Sequence, residues 1–193
     1  AYSLLDDPSA LAIVLNYPDH DKGKLTASKV ELMAKSSNIS VPSSPCVGFI
    51  GAGNYASRIL IPAFKEAGSM LDTVVTSGGI SSVHHGNKNK FLIASTNVED
   101  ILNNKSINTV AIVTRHDAHA LQVIDALNAG KHVFVEKPLA LTLDEIEKIH
   151  KAYQKINKAN NVKLMVGFNR RFAPHVIKMK ELLSSHHSPK SVI

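Results

Sequence analysis

The chain has 193 residues, 44% of them hydrophobic and 20% charged, a globular balance that excludes wholesale disorder. No stretch approaches the roughly 18 consecutive apolar residues of a membrane span, and the N-terminus carries Asp6 and Asp7 where a secretion signal has a basic region. The formal charge of +6 is scattered, with no basic block and no interleaved aromatics, so nucleic acid is not an expected partner. A single cysteine, Cys46, permits no internal disulfide and fits a reducing compartment, so the expectation is a cytoplasmic protein.

In chain order, Leu11–Leu15 and Val30–Leu32 read as two short strands with turns between them, too little to bury a core alone. Ser36 to Pro45 is rich in Ser and Pro and reads as a linker. Residues 1–44 are therefore expected to form an arm and residues 45–193 the main domain. Apolar, strand-like runs follow at Val47–Ile50, Thr73–Thr76, Phe91–Ala94, Thr109–Thr114, His132–Val135 and Lys163–Val166. Helical patterns cover Ala56–Ala67, with Pro62 as an irregularity, Ala118–Ala129, with Gly130 past its end, and Leu143–Ile156, opened by the capping box Thr142/Glu145. Strands alternating with helices require a parallel sheet covered on both faces, and near-continuous apolar strands fit that burial. The expected fold is α/β, a doubly wound parallel-sheet Rossmann domain with a short N-terminal β arm.

Gly51-Ala52-Gly53-Asn54-Tyr55-Ala56 has the spacing G-x-G-x-x-A directly after the first main strand. Gly51 permits the tight turn, Gly53 lets a pyrophosphate approach the backbone, and Ala56 keeps helix and strand close. The N–H groups at the helix start then meet the phosphate charge, so Gly51, Ala52, Gly53, Asn54 and Tyr55 are assigned to cofactor binding. An acid that would bind the ribose 2′-OH is missing: the next strand ends Thr76-Ser77-Gly78-Gly79, and Asp72 is at its wrong end. Ser77 can donate to a 2′-phosphate there, which leans the cofactor towards NADP over NAD, or to both.

The run Ala129-Gly-Lys-His-Val-Phe-Val-Glu136-Lys137-Pro138-Leu139 closely resembles the glucose-fructose oxidoreductase/inositol dehydrogenase (Gfo/Idh/MocA) family of NAD(P)-dependent oxidoreductases. The glycine turn, Thr114-Arg-His-Asp-Ala-His119 and Val166-Gly-Phe-Asn-Arg-Arg-Phe172 extend the resemblance from Cys46 to Ile193. It implies hydride transfer between a nicotinamide and a hydroxyl or carbonyl carbon of a sugar, cyclitol or nucleotide sugar. It makes Lys137 the catalytic residue, beside the nicotinamide, while Glu136 orients the turn or contacts the cofactor. Thr114, Arg115 and His119 become candidates for the ribose and nicotinamide side, with capping or packing at a helix start as the alternative for His119. Asn169 and Arg170 become candidates for the nicotinamide or substrate. His116 and His119 have the spacing of a metal pair, but no third ligand accompanies them and the family uses no metal.

The resemblance also implies a second, antiparallel-sheet domain beginning near Ser191, missing from this chain, and homo-oligomerisation of the complete protein. The segment Leu11-Ala-Ile-Val-Leu-Asn-Tyr17-Pro18 is similar to the closing part of a zinc-type medium-chain alcohol dehydrogenase, as in fused two-module oxidoreductases. A non-catalytic dinucleotide-binding sensor on the same fold is the alternative, and the intact Glu136-Lys137-Pro138 motif argues against it.

Overall fold

The structure, a computed structural model, describes residues 27–33 and 45–185. The expected strand Leu11–Leu15 and the linker from Ser36 to Ser44 lie outside the described residues. Among the described residues, seven strands form one sheet: β1 (Lys29–Glu31), β2 (Cys46–Ile50), β3 (Met70–Val75), β4 (Ile93–Ser95), β5 (Thr109–Ile112), β6 (His132–Glu136) and β7 (Leu164–Gly167). Their spatial order is β1-β4-β3-β2-β5-β6-β7. Every pairing is parallel except β1 against β4, so residues 29–31 of the expected arm belong to the sheet edge. Around β1, the Leu32 N–H donates to the Leu92 carbonyl at 2.8 Å and the Thr96 N–H to that of Ser28 at 2.9 Å.

The strand period of two divides the core between the faces. From β2, Cys46 and Ile50 join the cluster that holds Ile112, Val123, Leu127 and Ile149. Val47 and Phe49 join the opposite cluster with Leu60, Ile61, Val74 and Phe91. Phe49 meets Phe64 and Phe91 edge-on at ring separations of 5.3 and 5.8 Å. Burying each such ring contributes roughly 2–3 kcal/mol.

The helices are α1 (Ile61–Glu66), α2 (Gly79–Asn89), α3 (Glu99–Leu102), α4 (His119–Asn128), α5 (Leu143–Asn160) and α6 (Pro174–Leu183). A π-helical stretch, Ala56–Leu60, precedes α1, and the Ile61 N–H reaches back five residues to Ala56. This widened turn lets Pro62 enter at the first turn of α1, where a missing N–H is tolerated. Helix α2 has no apolar period in its sequence because its buried residues are Ser82, Gly86 and Asn89. Their polar groups are satisfied inside the helix, Ser82 by the Gly79 carbonyl and Asn89 by that of His85, and Gly86 admits Leu32 and Val74.

Two local features carry measurable stability. The Thr142 hydroxyl accepts from the Glu145 N–H at 3.2 Å, while Glu145 accepts from the N–H groups of Leu141 and Thr142. Thr142→Ala is expected to cost about 1 kcal/mol in urea unfolding. The Leu141 N–H, then that of Thr142, hold the Glu145 carboxyl below the usual carboxylate range. The unfolded chain therefore binds its proton first. The stability from Glu145 is full above the unfolded pKa and is lost as pH falls through the lower folded one. Glu145→Gln should flatten the loss of stability measured from about pH 5 downwards. Gly51 has φ +99°, and a Cβ there would lie 2.7 Å from the Val113 carbonyl oxygen, whereas one on Gly53 meets nothing within 4 Å. Gly51→Ala is expected to lower unfolding free energy by at least about 1 kcal/mol, and Gly53→Ala by much less.

Candidate functional site

The strand order reverses at β2, with β3 on one side and β5 on the other. The π turn and α1 pack on one face through Leu60 and Ile61, and α4 packs on the other through Val123 and Leu127. The two connections therefore part above the C-terminal ends of β2 and β5, where an open α/β sheet forms its ligand crevice. A cavity of about 870 Å³ lies there, and Gly51, Ala52, Gly53, Asn54, Ser77, Thr114 and Arg115 all line it. Its floor is fixed by the Gly51 N–H on the Val75 carbonyl at 2.8 Å and the Val113 N–H on that of Ile50 at 2.9 Å.

At the β3 end of the crevice, hydroxyl groups replace the expected acid. Thr76 Oγ1 donates to the Gly78 carbonyl at 2.7 Å and lies 3.0 Å from Ser81 Oγ. Ser77 is exposed, and the carboxylate in the lining, Asp117, comes from the segment after β5 and not from the end of β3. Ser81, His85, Thr96 and Gln122 also line the cavity and were missed in the sequence. Ser81 and His85 stand one turn apart on α2, the helix without an apolar period. Burial, and then the charges of His84 and Lys88, push the His85 imidazole below its usual value. Gln122 accepts the Thr114 hydroxyl at 2.7 Å, so that hydroxyl proton is already committed within the protein.

Glu136, Lys137, Asn169, Arg170 and Tyr55 are outside this lining: Glu136 ends β6, Lys137 follows it, Asn169 and Arg170 are in the 3-10 turn after β7, and Tyr55 is in the helix after the glycine turn. Lys137 is exposed directly after β6, and its N–H donates to Glu136 Oε2 at 3.3 Å. The other Glu136 oxygen, Oε1, is buried without a hydrogen-bond partner. A Cβ on Gly167 would come within 2.6 Å of Oε1, so a side chain there would require the Glu136 carboxylate to shift. Asn169 Nδ2 donates to the Tyr55 hydroxyl at 3.2 Å and brings the glycine-turn helix against the segment after β7. Arg170 is exposed, while Arg171 donates to the Val166 carbonyl at 3.3 Å.

For His119 the geometry fits the alternative expectation, packing at a helix start, and not cofactor contact. The residue is fully buried, with Nδ1 at 2.6 Å from the Pro138 carbonyl and Nε2 at 3.1 Å from the Thr114 carbonyl. As the first residue of α4, its side chain leans back under the preceding loop instead of into the crevice. Both ring nitrogens are engaged, which also removes it from any metal pair with His116. Among the described residues, no group of three His, Cys, Asp or Glu side chains is placed to hold a metal. No described helix is long and apolar enough to cross a membrane.

These residues fit a dinucleotide. Gly53 leaves open space where a side chain would stand, and the adjoining turn presents backbone N–H groups at a helix start. Of the lining residues, His85 carries a buried ring nitrogen, Nδ1, without a hydrogen-bond partner.

The profile of the Gfo/Idh/MocA oxidoreductase family, described as an NAD-binding Rossmann fold, matches residues 46–168. The chain is similar to oxidoreductase P35 of Formosa agariphila, 35% identical over 140 residues, covering 72% of this chain and 42% of that protein. It is 36% identical over 86 residues to inositol 2-dehydrogenase of Salmonella typhimurium, covering 45% of this chain and 25% of that one. The structure of scyllo-inositol dehydrogenase from Lactobacillus casei with NAD(H) and scyllo-inositol superposes with a TM-score of 0.65. That pair is 26% identical and covers 74% of this chain and 41% of the other. The chain thus spans less than half the length of these relatives. With a family profile over most of its length and a sheet that opens its crevice at the expected reversal, the chain belongs to the Gfo/Idh/MocA oxidoreductase family, as its NAD-binding Rossmann domain.

Proposed function

We propose that this chain is the cofactor-binding part of a cytoplasmic NAD(P)-dependent oxidoreductase acting on a CH–OH group of a sugar or cyclitol. The observation that carries the reading is the convergence of the glycine turn and the Thr114–Arg115 loop on one crevice, with Lys137 at the end of the adjacent strand but one. The names of the relatives support it, since two of them are inositol dehydrogenases. The N–H groups of Gly51 to Asn54 would hold the pyrophosphate, and Thr114 and Arg115 the ribose beyond it. When bound, the nicotinamide supplies the hydride acceptor or donor. Lys137 would orient the substrate hydroxyl through Nζ, donating to the oxygen as the ammonium or taking the proton as the neutral amine. Glu136, with one oxygen on the Lys137 N–H, fixes the main chain from which that lysine departs. Tyr55 and Asn169, joined by their hydrogen bond, would close the nicotinamide end, with Arg170 towards the substrate.

NADP is the preferred cofactor in this reading. The end of β3 offers Ser77, the Thr76 and Ser81 hydroxyls and the N-terminus of α2, and its own segment, Thr76 to Gly79, carries no carboxylate. The complete protein is proposed to be a homo-oligomer with a second, substrate-binding domain. Its residues 1–44 would close an upstream zinc-type dehydrogenase module, to which β1 attaches the sheet.

Calorimetric titration with NADPH and NADH tests the site. Saturable binding abolished by Gly53→Val is expected, with NADPH the tighter ligand; tighter NADH would overturn the preference, and no binding to the unsubstituted chain would overturn the site. Lys137→Ala is expected to lower turnover by about 100-fold or more while cofactor affinity holds. Turnover unchanged by that substitution would remove Lys137 from the chemistry.

A further inference from the structure

One buried ring joins the segment carrying Lys137 to the end of β5. His119 is fully enclosed and comes from α4, an element that contributes nothing else to the Glu136–Pro138 segment's hydrogen bonds. Both ring partners are carbonyl oxygens, which only accept, and a neutral ring has one N–H to give; the shorter contact, 2.6 Å, assigns it to Nδ1, donating to Pro138. On the other side of Lys137, its own N–H is held by Glu136 Oε2. The main chain is therefore anchored immediately before and immediately after the lysine. The second anchor is the stiffer one, because the ring also rests 3.1 Å from the Thr114 carbonyl and is packed on every side. Thr114 is tied back to the same helix through Gln122, three residues beyond the histidine.

We infer that His119 is a positioning residue for Lys137. By fixing the Pro138 carbonyl against β5, the ring makes the lysine leave the chain from a set point beside the crevice. This rests on the reading of Lys137 as the group that handles the substrate proton. The consequence is large because a reacting group displaced by about 1 Å can lose on the order of a hundredfold in rate.

The Nδ1 proton is itself observable in the full chain by NMR. It should be a downfield, slowly exchanging ring N–H with nuclear Overhauser contacts to Pro138, and its absence overturns the inference whether or not any variant folds. Two substitutions then divide the ring, since the amide nitrogen of Asn falls near the place of Nδ1 and that of Gln near Nε2. The readout is acylation of Lys137 by an amine reagent, followed by mass spectrometry with and without saturating NADPH or NADH. Urea unfolding is measured alongside. His119→Asn should keep the cofactor's protection of Lys137 within about twofold, and His119→Gln should lose about tenfold of it. Equal protection in both variants, even with both less stable, would mean that His119 only supports the fold. Absence of protection in an unsubstituted chain that binds cofactor would instead overturn the role of Lys137, and the ring's hold on Pro138 would then be judged by the Nδ1 proton alone.

Discussion

The close approach of the glycine turn to the end of β5 is the constraint on which the site depends. Gly51 adopts a backbone conformation that side chains resist, and it does so with the Val113 carbonyl where its Cβ would have been. That contact sets how near the β2–helix turn sits to the neighbouring strand, and so the depth of the crevice between them. The parallel ladder Val47–Ile50 on Thr109–Ile112 delivers both turns to the same height. A larger residue at position 51 would push the turn off β5 and open the floor of the crevice.

From that floor the other loops are placed in succession. Thr114 leaves β5 and is fastened to α4, the first residue of α4 reaches across to Pro138, and Glu136 lies against the glycine of β7. Each link uses a backbone carbonyl or a missing side chain, so the arrangement tolerates little change in spacing between strands. The chain's chemistry thus stands on loops whose geometry is owed to the sheet.

The doubly wound sheet was legible because β2, β5 and β6 are apolar runs separated by turns and by helices with clear caps, such as Thr142 with Glu145. The glycine spacing located Gly51 and Gly53 for the same reason: their role is a property of the local backbone. Helix α2 was hidden, since it turns Ser82, Gly86 and Asn89 to the sheet and so shows no apolar period. With it went Ser81 and His85. His119 was visible as a motif residue but its direction was not, because the ring's partners are 5 and 19 residues away and only the folded chain brings them together. Gln122 gave no signal, as a polar residue on an amphipathic helix reads as solvent-facing.

The strand Lys29–Glu31 runs antiparallel to β4 and, among the described residues, forms the margin of the sheet on that side. Strand β4 is only three residues long, wholly buried and made of Ile93, Ala94 and Ser95. Without β1, its N–H and C=O groups would form a bare edge able to recruit the strand of another molecule. The three residues that cover it are all exposed, and two of them are Lys and Glu, which discourages further pairing. A shortened chain beginning at Cys46 would keep Gly51, Gly53, Lys137 and the crevice, yet it would trade a guarded margin for an adhesive one. The early segment is thus a matter of colloidal behaviour as much as of architecture.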